Sequence, residues 1–525
     1  MSVEQMTSTA RSYDAVPYKD YPYPFAHPRN LEAMATLFGM QAPDISRCRT
    51  LEIGCAAGGN IIPQALSLPE ATFLGIDLSE RQIDRGKRLV EELGQTNIEL
   101  RQANLMEIDE SWGQFDYIIS HGVFSWMPSL VQDKLLEVSA RNLTPNGVAF
   151  VSYNTFPGWH LANVVRDLMQ YHAGKFEDAL KKIEQAKAIL EFLVGLGDDK
   201  RACGKLLKDE LDILRKVDSD AYLFHEHLET YNSPLYFYQF MERAEAAGLQ
   251  YLADADFSTM LLQNLPPQAR EPFGRLPLLQ QEQYMDFIRG RRFRKTLLCR
   301  REVELRRNIT AATMKQFHFS LTAPVAFQNV DIRNERPVEF TAGDGKLTTT
   351  NRVMKAAMLL LQEAQPRSLP FAQLYAAALA RAQQTRPLTP NDPDATPDGL
   401  GGALLQGYAI GMLEISLHPP RWVGVAGQRP QASPLARLQA AHGVLVTNLR
   451  HMPIGLDPLS QRVVRRLDGR HDREALMPCV HEAIAAGEVC VRDRDKPVAD
   501  PDPALLAGIL DKSLGVIAQS ALLVD

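Results

Sequence analysis

Apolar and polar positions change period along this chain. Between residues 49 and 154, short apolar runs alternate with stretches of helical spacing. The runs are RTLEI from Arg49, TFLGIDLS (72–79), IELRQAN (98–104), FDYIISHG (115–122) and GVAFVSYN (147–154), the last after a Pro145-Asn146-Gly147 turn. Each is short, nearly all apolar and ends on a polar residue, so it reads as a strand of a covered parallel sheet with helices between. Residues 160–230 shift to helical spacing, in KFEDALKKIEQAKAILEFLVGL and KLLKDELDILRKV. SPLYFYQFMERAEAAGLQYLADADF (233–257) reads as helix, Gly248 and a sixth strand, and RRFRKTLLCRRE (291–302) as a seventh.

Beyond 305 the texture changes. GKLTTTNRVMKAAMLLLQEA (345–364) and LPFAQLYAAALARAQ (369–383) carry helices, whereas RPLTPNDPDATPDGLGG (386–402) is too rich in Pro, Asp and Gly for any regular element. After a second irregular stretch, HPPRWVGVAGQRPQASPLA (418–436), a strand-like piece and two helices separated by a Gly turn suggest a small winged-helix-like module. The expected divisions are an N-terminal arm or lid (1–30), a sheet core with strands one to five (31–160), a helical insertion that completes the sheet (161–305), a middle domain (306–417) and the C-terminal module (418–525).

Chemistry enters at the strand ends. Glu52 stands two positions before Gly54, and Gly58 and Gly59 complete a turn before a helix begins near Asn60. Such a turn brings a ligand onto bare backbone at the carboxyl edge of a parallel sheet. The GxGxxG dinucleotide fingerprint is absent. Instead ExGxxxG resembles the first motif of S-adenosylmethionine-dependent methyltransferases, with Ala56 where the middle glycine usually stands. Asp77 closes the second strand 23 residues after Gly54 and is placed to accept hydrogen bonds from both ribose hydroxyls. Asn104, at the third strand end, would face an adenine ring.

Composition narrows the class. A chain of 525 residues with 45% hydrophobic and 23% charged content has the make-up of a soluble protein of two to four domains. The formal charge of −6 argues against a general nucleic-acid binder. Six scattered cysteines without a CxxC pair point to reduced thiols and offer no metal-ligand spacing. The start lacks the apolar core of a secretory signal, and no run approaches the roughly 20 apolar residues that span a bilayer. A cytoplasmic location without membrane insertion is the expectation.

Longer segments specify a family. YDAVPYKDYPYPFAHP, LEIGCAAGGNIIPQA, GIDLSERQI, FDYIISHGVFSWMP and VSYNTFPGWH resemble bacterial methyltransferases with a methyltransferase regulatory region. Its characteristic stretch is similar to YLFHEHLETYNSPLYFYQFMERAEAAGLQYLADAD (222–256), and the likeness runs through VTNLRH to the C-terminus. The best-understood members are protein-lysine methyltransferases of rickettsiae that modify outer-membrane proteins. The resemblance implies an α/β, Rossmann-like seven-stranded methyltransferase domain with helical insertions, followed by α+β, winged-helix-like C-terminal domains. It implies S-adenosylmethionine as methyl donor and a protein lysine as acceptor, and it admits a homodimer. The family's cofactor loop falls on Glu52, Gly54, Gly58 and Asn60, and its ribose carboxylate on Asp77; Cys55 and Leu78 adjoin them.

The remaining candidates come from position. The arm SYDAVPYKDYPYPFAHP (12–28) is stiffened by proline and rich in tyrosine, so Tyr13 and Tyr18 are candidate covers over the cofactor. Aromatic clusters follow strands four and five, and Trp126, Tyr153 and Trp159 are candidate walls of an acceptor site through cation–π attraction. His121 is a candidate for the cofactor site, and His121, Tyr153 and Asn154 for holding the acceptor in line. His225-Glu226-His227 lacks a third ligand, so no metal is expected. The basic run 289–302 reads as a solvated face, with a hold on an acidic substrate surface as the alternative. Two rivals stay open: a small-molecule methyltransferase using the same cofactor site, and a cofactor-sensing nucleic-acid binder resting on Arg465, Arg466, Arg470 and Arg473.

Overall fold

A computed structural model describes residues 16, 21–197, 200–217, 219–229, 231–328, 330–343, 345–385, 387–388, 392–419, 421–490, 492–493, 496–497 and 502–524. Seven strands form the main sheet: β1 (Arg49–Ile53), β2 (Thr72–Asp77), β3 (Ile98–Gln102), β4 (Phe115–Ser120), β5 (Leu143–Asn154), β6 (Leu249–Asp254) and β7 (Phe293–Arg300). Their order is β3-β2-β1-β4-β5-β7-β6. Strands β1 to β5 are parallel, while β7 runs antiparallel to both its neighbours. The chain winds outward from β1 through β2 and β3, then returns to lay β4 against the other side of β1. That reversal opens a crevice at the carboxyl ends of β1 and β4.

Alternation of side chains sorts the sheet into two cores. On β5, Val148 and Phe150 join one apolar cluster, and Ala149, Val151 and Tyr153 join the other. The first cluster continues without a break into the middle segment, through Phe319, Phe340, Met354 and Leu404. The second lies between the sheet and helices Ser129–Arg141 and Phe237–Ala246. Helices Gly158–Ala173, Ala179–Leu196 and Ala202–Val217 have their own apolar centre around Met169, Leu190 and Leu211. The C-terminal helices Pro434–His442, Pro458–Arg466, Arg473–Ala485 and Pro503–Gln519 enclose a separate core around Val463, Leu476 and Leu514.

Three expectations are corrected. Pro145-Asn146-Gly147 does not precede β5 but bulges within it: Phe115 opposes Leu143, and the next aligned pair is Tyr117 with Val148. The basic run at 289–302 is not a solvated face. Arg294 is fully buried, with Nε donating to Asp286 Oδ2 at 2.8 Å and Nη2 to Glu282 Oε2 at 3.0 Å; Arg291 pairs with Asp254 and Lys295 with Asp256. A charge as deeply buried as Arg294 needs such partners, so this strand carries an internal ion-pair layer. In the C-terminal unit, Arg466 pairs with Glu482 at 2.9 Å and Arg473 with Asp511 at 2.7 Å, which weakens the basic patch read there. Among the described residues no helix is long and apolar enough to cross a membrane.

Candidate active site

The loop after β1 is held open by backbone conformation. Gly54 has φ +76°, and a Cβ there would come within 2.5 Å of Val123. Gly58 has φ +84°, with Ile62 at 2.7 Å from the equivalent point. Ala56 sits at φ 48°, a left-handed conformation that costs a residue with a Cβ roughly 1–2 kcal/mol. Asp77 stabilises it: Oδ2 accepts from the Ala56 N–H at 2.9 Å, and Oδ1 accepts from Ser79 N–H at 2.9 Å. The strand-end carboxylate thus fixes the loop as well as facing the cavity.

Glu52 is buried beneath this loop. Asn60 Nδ2 donates to Glu52 Oε1 at 2.9 Å, and among the described residues Glu52 Oε2 has no hydrogen-bond partner. Burial pushes the carboxyl up to about 8, with the Asn60 bond opposing and the Asp77 charge adding to the rise. Asn60 Oδ1 accepts from the Tyr23 N–H at 3.0 Å and from His451 Nε2 at 2.8 Å. His451 belongs to the C-terminal unit, 391 residues from Asn60, and holds a left-handed φ of 63°. Burial, then the Arg29 charge, drop His451 to about 3, so it stays a neutral donor. Sequence reasoning did not find this contact, because nothing local marks it.

A cavity of about 510 Å³ opens from the loop, within the usual range for ligand sites. Glu52, Gly54, Cys55, Asn60, Asp77, Leu78 and Asn104 line one end, with Tyr21 and Tyr23 from the N-terminal arm. Asn104 also caps the short turn after β3, accepting from Met106 N–H at 3.0 Å. Gly58 acts through the loop and does not line the cavity. Tyr13 and Tyr18 lie outside the described residues. The other end is lined by Trp126, Asn154, Trp159, Glu210, Tyr222, Glu226, His227, Arg292 and Phe293.

Two catalytic candidates change role. Tyr153 is 1% exposed and faces away from the cavity, its ring stacked on Phe240 at 4.1 Å and its hydroxyl 3.2 Å from Thr296 Oγ1. It is a core residue and neither walls nor serves the acceptor site. His121 does line the cavity, but burial and then the Lys295 charge drop it to about 3. Its Nδ1 lies 2.9 Å from Ser152 Oγ, which also accepts from Gly122 N–H at 2.8 Å, and its ring meets Tyr23 edge-on at 4.0 Å. A neutral imidazole so weakly basic positions its neighbours and does not take a proton near neutral pH. Asn154 keeps its place: Ser125 Oγ accepts from its N–H at 2.8 Å, and its Nδ2 donates to Asn232 Oδ1 at 3.0 Å.

The residues missed at the far end come from the helical insertion. His225, Glu226 and His227 occupy a π-helical turn, Phe224–Leu228, and do not converge on one point. His225 Nε2 donates to the Val16 carbonyl at 2.6 Å, whereas His227 Nε2 faces Glu210 Oε1 at 3.4 Å. Arg292 Nη1 donates to the other oxygen of Glu210 at 2.5 Å. The signal for them was the His-Glu-His run itself, which reads as failed metal ligands until Glu210 and Arg292 are brought beside it.

A seven-stranded sheet with one reversed strand, a glycine loop under a strand-end carboxylate and an aromatic far wall define a Rossmann-like methyltransferase. Comparison with known proteins agrees. Residues 45–207 match a methyltransferase domain, 219–300 a predicted methyltransferase regulatory domain, and 428–522 the PKMT C-terminal winged helix domain. The structure of PKMT2 from Rickettsia typhi in complex with AdoHcy superposes with a TM-score of 0.85 at 30% identity, over 97% of this chain and 100% of that one. Protein RP789 of Rickettsia prowazekii is 39% identical over 91% of this chain and 87% of its own length, and RP028 of the same organism is 38% identical over 46% and 96%. The chain belongs to the S-adenosylmethionine-dependent methyltransferases that carry this regulatory domain and the PKMT winged-helix domain.

The cofactor end fits that donor. Among the described residues Glu52 Oε2 is a buried oxygen without a hydrogen-bond partner, Gly54 presents bare backbone to the cavity, and Asp77 presents a carboxylate at the strand edge. Glu52 and Asn60 would hold the amino-acid part, Asp77 the ribose, and Leu78 and Asn104 the adenine.

Proposed function

We propose that this protein transfers a methyl group to the side-chain amine of lysine in a protein substrate. The observation that carries the reading is the far end of the cavity, where Trp159, Tyr222 and Phe293 stand beside the carboxylates of Glu210 and Glu226. Aromatic faces and carboxylates suit an alkylammonium, through cation–π attraction and charge. The likeness to the Rickettsia typhi PKMT2 supports the same acceptor class.

The bound donor supplies an electrophilic methyl on a sulfonium. The chain's own residues do the rest. Methyl transfer to an amine is an in-line displacement, so alignment carries much of the rate. Asp77 and the loop it pins fix one partner; Asn154, Trp126 and Trp159 bound the path to the other. Tyr21 and Tyr23 line the cavity from the N-terminal arm, and rings that displace water there strengthen the charge interactions beside them. Lysine holds its proton to a pKa of about 10.4 in water, so the acceptor end must favour the neutral amine.

The test is a transfer assay with methyl-labelled donor, purified enzyme and lysate of the source cell, resolved on a gel and by small-molecule extraction. The reading expects label in a discrete protein band, as methyl-lysine on hydrolysis. Label confined to the extract would assign a small-molecule acceptor instead.

A further inference from the structure

The far wall of the cavity carries two carboxylates, and only one is committed. Glu210 is buried, with Arg292 on one oxygen at 2.5 Å and His227 facing the other at 3.4 Å. Burial raises its carboxyl, yet these partners hold it below the ordinary carboxylate range, so it stays ionised and neutralised. Glu226 differs. Its backbone is clamped, with Arg166 Nη1 donating to the Glu226 carbonyl at 2.9 Å and Nη2 to the Glu229 carbonyl. Its half-buried carboxyl lines the cavity, and among the described residues neither oxygen has a hydrogen-bond partner. The second polar group left open on the same wall is His227, 1% exposed, whose Nδ1 also has no partner.

The local fold explains the arrangement. A π-helical turn closes i to i+5 bonds and frequently marks a functional site. Here the turn Phe224–Leu228 sets Glu226 and His227 on the cavity while His225 turns away to Val16 and Glu229. The wide turn therefore presents to the cavity one acid whose carboxyl has no hydrogen-bond partner among the described residues.

We propose that Glu226 is the acceptor-side catalytic base of this enzyme: its carboxylate receives the alkylammonium of the substrate and takes one proton from it. This rests on the amine-acceptor reading above. The nitrogen lone pair so released forms the N–C bond as the C–S bond breaks, the sulfur keeping that electron pair to leave as the neutral thioether. The proton stays on Glu226 until it exchanges with solvent through the cavity. The charged and titratable groups facing Glu226 are Arg166 from the helix at 158–173, Glu210 from the helix at 202–217 and Tyr222 on its own segment, with His227 and Arg292, the residue before β7, on the same cavity wall. Burial places Glu226 at about 7, with Arg166 lowering and Glu210 raising it, which suits a base operating near neutral pH.

Calorimetry and turnover test this together in the full-length protein. With S-adenosylhomocysteine bound, the wild type is expected to bind n-butylammonium, and Glu226→Gln to bind it at least tenfold more weakly. Affinity for S-adenosylhomocysteine itself should move less than twofold. Turnover on the labelled protein acceptor should fall about 100-fold or more in E226Q, within the range for a lost acid–base group. The rise of wild-type kcat/KM with pH near 7 should vanish in the variant. Should E226Q also lose S-adenosylhomocysteine, Glu226→Asp decides the matter, since it keeps the charge and is expected to restore amine binding. Equal n-butylammonium binding by wild type and E226Q, or none by the wild type, overturns the proposal. If wild type binds the amine through Glu226 yet labels no lysine, the lysine reading falls and the amine subsite stands.

Discussion

At the cofactor end of the cavity the decisive groups are backbone amides and strand-end side chains drawn from residues 52–79, with Asp77 joined to Ala56 and Ser79. At the acceptor end they are side chains from three separated segments, Glu210, Tyr222 to His227, and Arg292. The first end is set by dihedral angles that few residues can adopt, the second by ion pairs that exist only once the chain has folded. A cofactor common to many enzymes is therefore held by a local motif, and a particular acceptor by a tertiary arrangement. Substitutions at one end should alter donor affinity, and those at the other should alter turnover at constant donor affinity.

The largest effect on donor binding is expected for Asp77→Ala. It removes an acceptor from two backbone N–H groups and the carboxylate that would hold the ribose, and hydrogen bonds to charged groups contribute about 1.5–3 kcal/mol each. At about 1.4 kcal/mol per decade, donor affinity by calorimetry should weaken at least ~100-fold. Gly54→Ala comes next: the left-handed φ and the approach to Val123 should weaken the donor about tenfold, and a second change, Val123→Ala, should recover part of it. His451→Ala deletes the hydrogen bond by which His451 of the C-terminal unit reaches Asn60, and at about 1 kcal/mol should weaken donor binding about fivefold. That loss would show that the C-terminal unit contributes to the cofactor end. The smallest effect is expected for Tyr153→Phe. Turnover should stay within about twofold, while loss of the Thr296 contact lowers stability by about 1 kcal/mol in thermal unfolding.

These expectations track what the sequence made legible. Glu52, Gly54 and Asp77 could be read because a strand, a turn and a second strand end lie within 26 residues and constrain each other locally. The seven strands were legible for the same reason, and Arg294 was not, because Asp286 and Glu282 reach it only across the fold. Tyr153 was misassigned by a rule of geometry: neighbours on a strand face opposite sides, so Tyr153 and Asn154 could not both line the cavity. Asn154 shares its face with Ser152, which bonds His121, and Tyr153 shares the other with Phe240. Glu226 was within view in the His-Glu-His run, but its meaning depends on Glu210, Arg166 and a π-helical turn, none of which local spacing encodes.

The most direct measurement is a parallel calorimetric titration of S-adenosylhomocysteine into wild type, D77A and E226Q, with turnover measured on the same preparations. The account predicts that D77A loses affinity at least ~100-fold while E226Q binds as the wild type does and fails to turn over. Unchanged binding by D77A, or loss of affinity and turnover in equal proportion in both variants, would contradict the division of the cavity into a cofactor end and an acceptor end.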